Sequence, residues 1–78
     1  MPTVLRSGPY RFFFYSGDRD EPPHVDVERD RCKAKYWLSV ISLYSNSGFD
    51  RVELMAIYRL ISKNQRLFLQ KWHEYFDH

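Results

Sequence analysis

A chain of 78 residues has room for one domain, 1–78, and folding at this size buries only roughly 60% of the surface the unfolded chain exposes. Hydrophobic residues make up 44% and aromatics 18%, which excludes intrinsic disorder and is enough to drive collapse without disulfides. Twelve basic and ten acidic residues leave a formal charge of +2, far from the excess of a protein that grips duplex nucleic acid non-specifically.

In chain order, Thr3-Val4-Leu5-Arg6 and the run Tyr10 to Tyr15 are β-prone, and Ser7-Gly8-Pro9 between them supplies turn residues, so the two predict a hairpin. In the second run Tyr10, Phe12 and Phe14 face one way and Phe13 and Tyr15 the other, the pattern of a strand covered on both sides. The segment Ser16 to Pro23, rich in Gly, Pro and Asp, predicts a surface loop. From His24 to Glu28 the alternation is regular, with Val25 and Val27 on one face and His24, Asp26 and Glu28 on the other. Asp30-Arg31 predicts a turn into a strand Lys33 to Leu38, where Ala34, Tyr36 and Leu38 alternate with Lys33, Lys35 and Trp37. Val40 to Tyr44 suits a short further strand or an irregular connection, ending at the turn-prone Ser45-Asn46-Ser47-Gly48.

Asp50 with Glu53 three residues on reads as a capping-box-like helix start. At 100° per residue, Leu54, Ile57, Tyr58, Ile61, Phe68, Leu69, Trp72, Tyr75 and Phe76 fall in one stripe whose only polar member is Gln65. One straight helix from Arg51 to Phe76 would be about 39 Å long, against about 30 Å for a globule of this size. It must bend, near Ser62-Lys63-Asn64, or overhang and pair with a second copy as a homodimer. The expected fold is therefore α+β, a small antiparallel sheet of three to five strands followed by a long or kinked C-terminal amphipathic helix.

Cys32, the one cysteine, can form neither an internal disulfide nor a thiolate zinc site. A reducing, cytoplasmic setting fits it, and its neighbours Arg31 and Lys33 would favour a reactive thiolate, although an ordinary strand cysteine is the commoner case. No run approaches the roughly 20 apolar residues of a membrane helix, and Met1 to Ser7 lacks the features of a secretory leader, so no membrane association is expected.

The most specific local feature is Glu21-Pro22-Pro23-His24-Val25-Asp26-Val27, where a stiff Pro-Pro lead presents an imidazole and a carboxylate two residues apart on one strand face. Asp26 would fix the tautomer of His24 and raise its basicity, giving a general base or acid, or the two would supply half of a metal site with Glu28 extending the row. The plain alternative is a solvent-exposed polar strand face. Only two further histidines exist, His73 and His78 at the far end of the chain, which argues against a metal, and no cofactor is expected. The basic residues Arg29, Arg31, Lys33 and Lys35 alternate along one face of the second hairpin and, with Arg11 or Arg6 alongside and Tyr36 and Trp37 adjoining, suit phosphates and stacked bases of single-stranded RNA. Six acids, Asp18, Asp20, Glu21, Asp26, Glu28 and Asp30, weaken that field. The closing Lys71-Trp72-His73-Glu74-Tyr75-Phe76 suits either core packing or an interface. No phosphate-binding glycine loop, nucleophile elbow or paired-cysteine motif is present.

Met1-Pro2-Thr3-Val4-Leu5-Arg6, Tyr10-Arg11-Phe12-Phe13-Phe14-Tyr15-Ser16 and Glu21-Pro22-Pro23-His24-Val25, with Ala34-Lys35-Tyr36-Trp37-Leu38, Asn46-Ser47-Gly48-Phe49 and Trp72-His73-Glu74-Tyr75-Phe76, resemble a bacterial domain-of-unknown-function family, number four-one-six-zero. The resemblance implies a small partner in a bacterial gene pair of toxin–antitoxin type and implies no particular reaction. It also implies His-Val-His-Val at the third strand, where this chain carries Asp26 in the second histidine position. The leading expectation is a cytoplasmic member of such a pair with an RNA-directed catalytic site formed by His24, Asp26, Arg29 and Arg11. Two rivals stand beside it: a non-catalytic module that pairs through its C-terminal aromatic helix with itself or a cognate protein, and a metal-dependent enzyme built on His24, Asp26 and Glu28.

Overall fold

The computed structural model describes residues 3–76; Met1, Pro2, Asp77 and His78 lie outside them, and with them the start of the resemblance and the reading of His78. Strands β1 (Thr3–Ser7), β2 (Tyr10–Phe13), β3 (His24–Arg29), β4 (Cys32–Trp37) and β5 (Ser42–Ser47) pair antiparallel in chain order, and helices α1 (Arg51–Lys63) and α2 (Gln65–Phe76) follow. The expected α+β architecture, hairpins included, is what forms. Two turns take left-handed backbone where the sequence put turn residues: Gly8 at φ 57° and Asp30 at φ 55°.

Cross-strand registers sort the side chains into two faces, because directly paired residues of an antiparallel sheet point the same way. Leu5, Phe12, Val27 and Ala34 form one row, and Val25 and Tyr36 the next. This face carries the helices: Phe12, Val25, Val27, Ala34 and Tyr36 form the core with Leu38, Phe49, Ile57, Ile61 and Phe68. The other face carries Arg6, Arg11, Glu28 and Lys33 in one row, Phe13, Asp26 and Lys35 in a second, and His24 and Trp37 in a third. Apart from its His24 end, where Trp72 of α2 reaches the ring, it has no helix on it, and the charged residues of the alternating strands collect there.

α1 starts as expected, with the Asp50 carboxylate accepting from the Glu53 amide at 2.8 Å. The reciprocal half of the capping box does not form, because the Glu53 side chain accepts from Arg29 Nε at 2.8 Å and Nη2 at 2.6 Å instead, a stronger charge-assisted pair. The helix bends where the length argument requires. Asn64 closes α1 at φ −109°, and its side-chain amide donates to the Leu60 carbonyl at 2.8 Å, competing with the helical ladder. Beyond the bend the stripe continues through Phe68, Trp72 and Phe76, all buried within the chain's own core. Gln65, the stripe's polar member, donates to the Leu38 carbonyl at 2.7 Å and so satisfies the end of β4.

β5 departs from expectation. It runs Ser42–Ser47, through the segment read as a turn, because Asn46 pairs its side chain with the Phe49 backbone and moves the chain reversal to Gly48. All six of its residues are exposed at the sheet edge. No helix of the described residues is long and apolar enough to cross a membrane.

Candidate functional site

The loop between β2 and β3 lies at the surface as expected, with Ser16, Gly17 and residues 19–22 exposed, but its own hydrogen bonds order it. A 3-10 turn, Ser16–Asp18, is fixed by the Asp18 amide donating to Tyr15 O and the Glu21 amide donating to Asp18 O, both at 3.1 Å. Held this way, the loop turns Asp18 toward His24 and Glu21 toward Lys35, covering one end of the helix-free face. Pro22-Pro23 then delivers the chain into β3, and Leu38 N–H donates to Pro23 O at 3.0 Å, fixing the start of the strand against the end of β4.

His24, expected on a polar face, is completely buried. Its ring lies 5.8 Å from the Trp37 ring on the neighbouring strand and 4.8 Å from Trp72 of α2, which closes over the sheet beyond the end of β2. The solvent-exposed strand face that was the plain alternative therefore does not hold at His24, since aromatic walls and the loop take the place of water. Nδ1 lies 3.0 Å from the Pro22 carbonyl, which can only accept, so Nδ1 carries a proton. Nε2 lies 2.8 Å from Asp18 Oδ2 and 3.8 Å from Asp26 Oδ2. A neutral ring donating from Nδ1 presents a lone pair at Nε2, and a carboxylate presents only acceptors, so a positive centre must sit between them.

Asp26 is mostly buried, and its Oδ2 has no hydrogen-bond partner. Burial pushes its carboxyl up to about 6, with Asp18 and Glu21 adding to the rise and the charges of His24 and Lys35 opposing it. Nε2 of His24 and one oxygen each from Asp18 and Asp26 all lie within 4.8 Å of one another, a grouping of the kind that can hold a cation. Asp18 is the member that sequence reasoning passed over: it was one of several acids in a polar loop, and only the fold of that loop singles it out.

The other expected site residues are distributed differently. Arg11 lies on the same sheet face as His24 and Asp26, paired with Glu28 at 3.3 Å and stacked 4.3 Å from the centre of the Phe13 ring. Arg29 lies on the opposite, helix-covered face, bound to Glu53. The basic residues of the second hairpin thus do not share one face. The two-residue turn Asp30-Arg31 inverts the parity of the alternation, placing Arg29 opposite Cys32 while Lys33 and Lys35 stand opposite Glu28 and Asp26. Glu28 is directed to Arg11, and its row is one step removed from the His24 cluster. Cys32 is half-buried beneath Gly48, with Arg29 Nη2 3.8 Å from its sulfur.

On the helix-free face, Lys35 bridges two aromatic rings as well as Glu21: its ammonium lies 5.1 Å from the Trp37 ring centre and 4.9 Å from that of Tyr44. Arg6, at one end of the row, and Lys33, beside Ser47 at the other, are exposed and have no ion-pair partner among the described residues. The face therefore joins aromatic platforms and free cations to a buried histidine–carboxylate cluster.

Neither the curated proteins nor the solved structures contain a match to this chain. The model of one family, Domain of unknown function (DUF4160), matches residues 10–73, a span that holds β2 through most of α2 and every residue of the cluster. The chain belongs to that family.

Proposed function

We propose that this protein is a member of a toxin–antitoxin-like pair that acts on single-stranded RNA across the helix-free face of its sheet. One observation carries the reading. The register aligns Arg6, Arg11, Glu28 and Lys33 in a row across four strands, about 14 Å from first to last, three cations to the one acid that Arg11 pairs with, beside a second row with Lys35 next to Trp37 and Tyr44. A single strand needs cations spaced to follow its phosphates and exposed rings on which bases can stack, and this surface offers both. Asp18 and Asp26 present the accessible edge of the His24 cluster to that surface, with side chains 19% and 16% exposed. Arg11 is then a phosphate contact, whereas Arg29 supports the fold from the opposite face. The rival reading, pairing through the C-terminal helix, has less surface to work with, because Phe68, Trp72 and Phe76 are buried in the core and Tyr75 alone of that aromatic run is clearly exposed.

The test is titration of a fluorescent single-stranded RNA with the protein at two salt concentrations, beside induced expression with total RNA inspected for cleavage. Charge reversal of the two unpaired cations, Arg6→Glu with Lys33→Glu, should weaken binding by at least about tenfold and flatten its salt dependence. RNA affinity unchanged by the double reversal would refute the reading.

A further inference from the structure

We propose that Nε2 of His24, with one carboxylate oxygen each from Asp18 and Asp26, forms a binding site for a divalent first-row transition metal such as zinc or manganese. The proposal stands apart from the RNA reading, since it rests on the cluster alone.

The donors are arranged as a metal requires. Metal-binding imidazoles orient themselves by donating their second N–H to a carbonyl or carboxylate, and Nδ1 of His24 does so to Pro22 O at 3.0 Å. With the ring neutral, that leaves a lone pair at Nε2 for a metal, facing two carboxylate oxygens at 2.8 and 3.8 Å, the shorter of which is also the length of a hydrogen bond that a metal would replace. Ligand bonds of about 2.0–2.2 Å separate neighbouring ligand atoms by about 3 Å in octahedral and about 3.4 Å in tetrahedral geometry; the two spacings from Nε2 bracket both, and the carboxylate oxygens, within 4.8 Å of one another, close on the ion as it binds. A cation between the three atoms resolves the lone-pair conflict at Nε2 and gives Asp26 Oδ2, otherwise unpartnered, its missing contact. The ring is held at this angle by Trp37 and Trp72 rather than by solvent.

The chemistry of the set also selects the ion. One imidazole with two carboxylates suits zinc or manganese better than calcium or magnesium, which take all-oxygen shells. Three protein ligands are one short of a closed tetrahedral site, and the partly exposed carboxylates lie on the side from which an ion and its remaining water ligand would enter.

Purified protein stripped with a chelator and titrated with zinc or manganese chloride should bind one ion, read by calorimetry and by native mass spectrometry, with a rise in melting temperature. Asp18→Asn and Asp26→Asn are near-isosteric and should stay folded. Each should weaken binding by more than the roughly 10–100-fold that loss of an outer-shell partner costs. Manganese should broaden backbone resonances centred on His24 and Asp26. Absence of binding by the folded protein, affinity unchanged in both asparagine variants, or broadening centred on Cys32 or His73 would each overturn the proposal; the positive centre at Nε2 would then be a proton.

Discussion

At the scale of single residues, the most consequential is Asp26, a carboxyl that burial disfavours and that no hydrogen bond relieves. Removing its charge while keeping its shape should strengthen the metal-free fold, so Asp26→Asn is expected to gain about 1–2 kcal/mol at neutral pH in chelator, read from urea midpoints. Gly48 is a second consequential position. Its φ of 101° disfavours any side chain, and an added Cβ would lie 2.9 Å from the Cys32 sulfur. Gly48→Ala should therefore lose about 1–3 kcal/mol, visible as a lowered thermal midpoint.

Among elements, β3 and α1 share the apolar core and are further tied at its edge by an ion pair. Glu53 accepts from Arg29 and from the Tyr10 hydroxyl at 3.1 Å, and the Arg29 hydrogen bonds hold its carboxyl below the ordinary 4.5. A carboxyl whose folded value is depressed contributes its stability above the unfolded value, and that contribution is lost as pH falls through the folded one. Unfolding midpoints followed from pH 7 down to pH 3 should fall below about pH 4.5, and Glu53→Gln should show a lower midpoint at pH 7 and a shallower fall. The same pair explains why a capping box legible in the sequence is only half built: the cap from Asp50 is local, whereas the partner of Glu53 arrives from another strand. The bend at Asn64 was one of the two outcomes that length left open, the other being an overhanging helix paired with a second copy, whereas the phase of the stripe fixed which face is buried.

For the whole molecule, two aromatic clusters carry the fold, one centred on Phe12 and Phe68 and one on Phe14, Trp72 and Phe76. A domain of this length has a total stability of about 4–12 kcal/mol, and deleting a buried phenylalanine costs about 3–5. Phe68→Ala should consequently remove about half of the margin, seen as a strongly lowered melting temperature by circular dichroism. Alternation and helical phase are short-range properties of the chain, so the sequence by itself determined five strand-like or turn-like stretches, the helix start, the apolar stripe and the pairing of His24 with Asp26 on one strand face. Only the tertiary structure decided that Asp18 meets His24, that Trp72 packs on the His24 ring, that Arg29 and Lys33 stand on opposite faces, and that the strand before Gly48 runs on through Ser47. Those outcomes depend on turn parity, on side-chain hydrogen bonds within loops and on packing between distant segments, none of which leaves a periodic trace in the order of the residues.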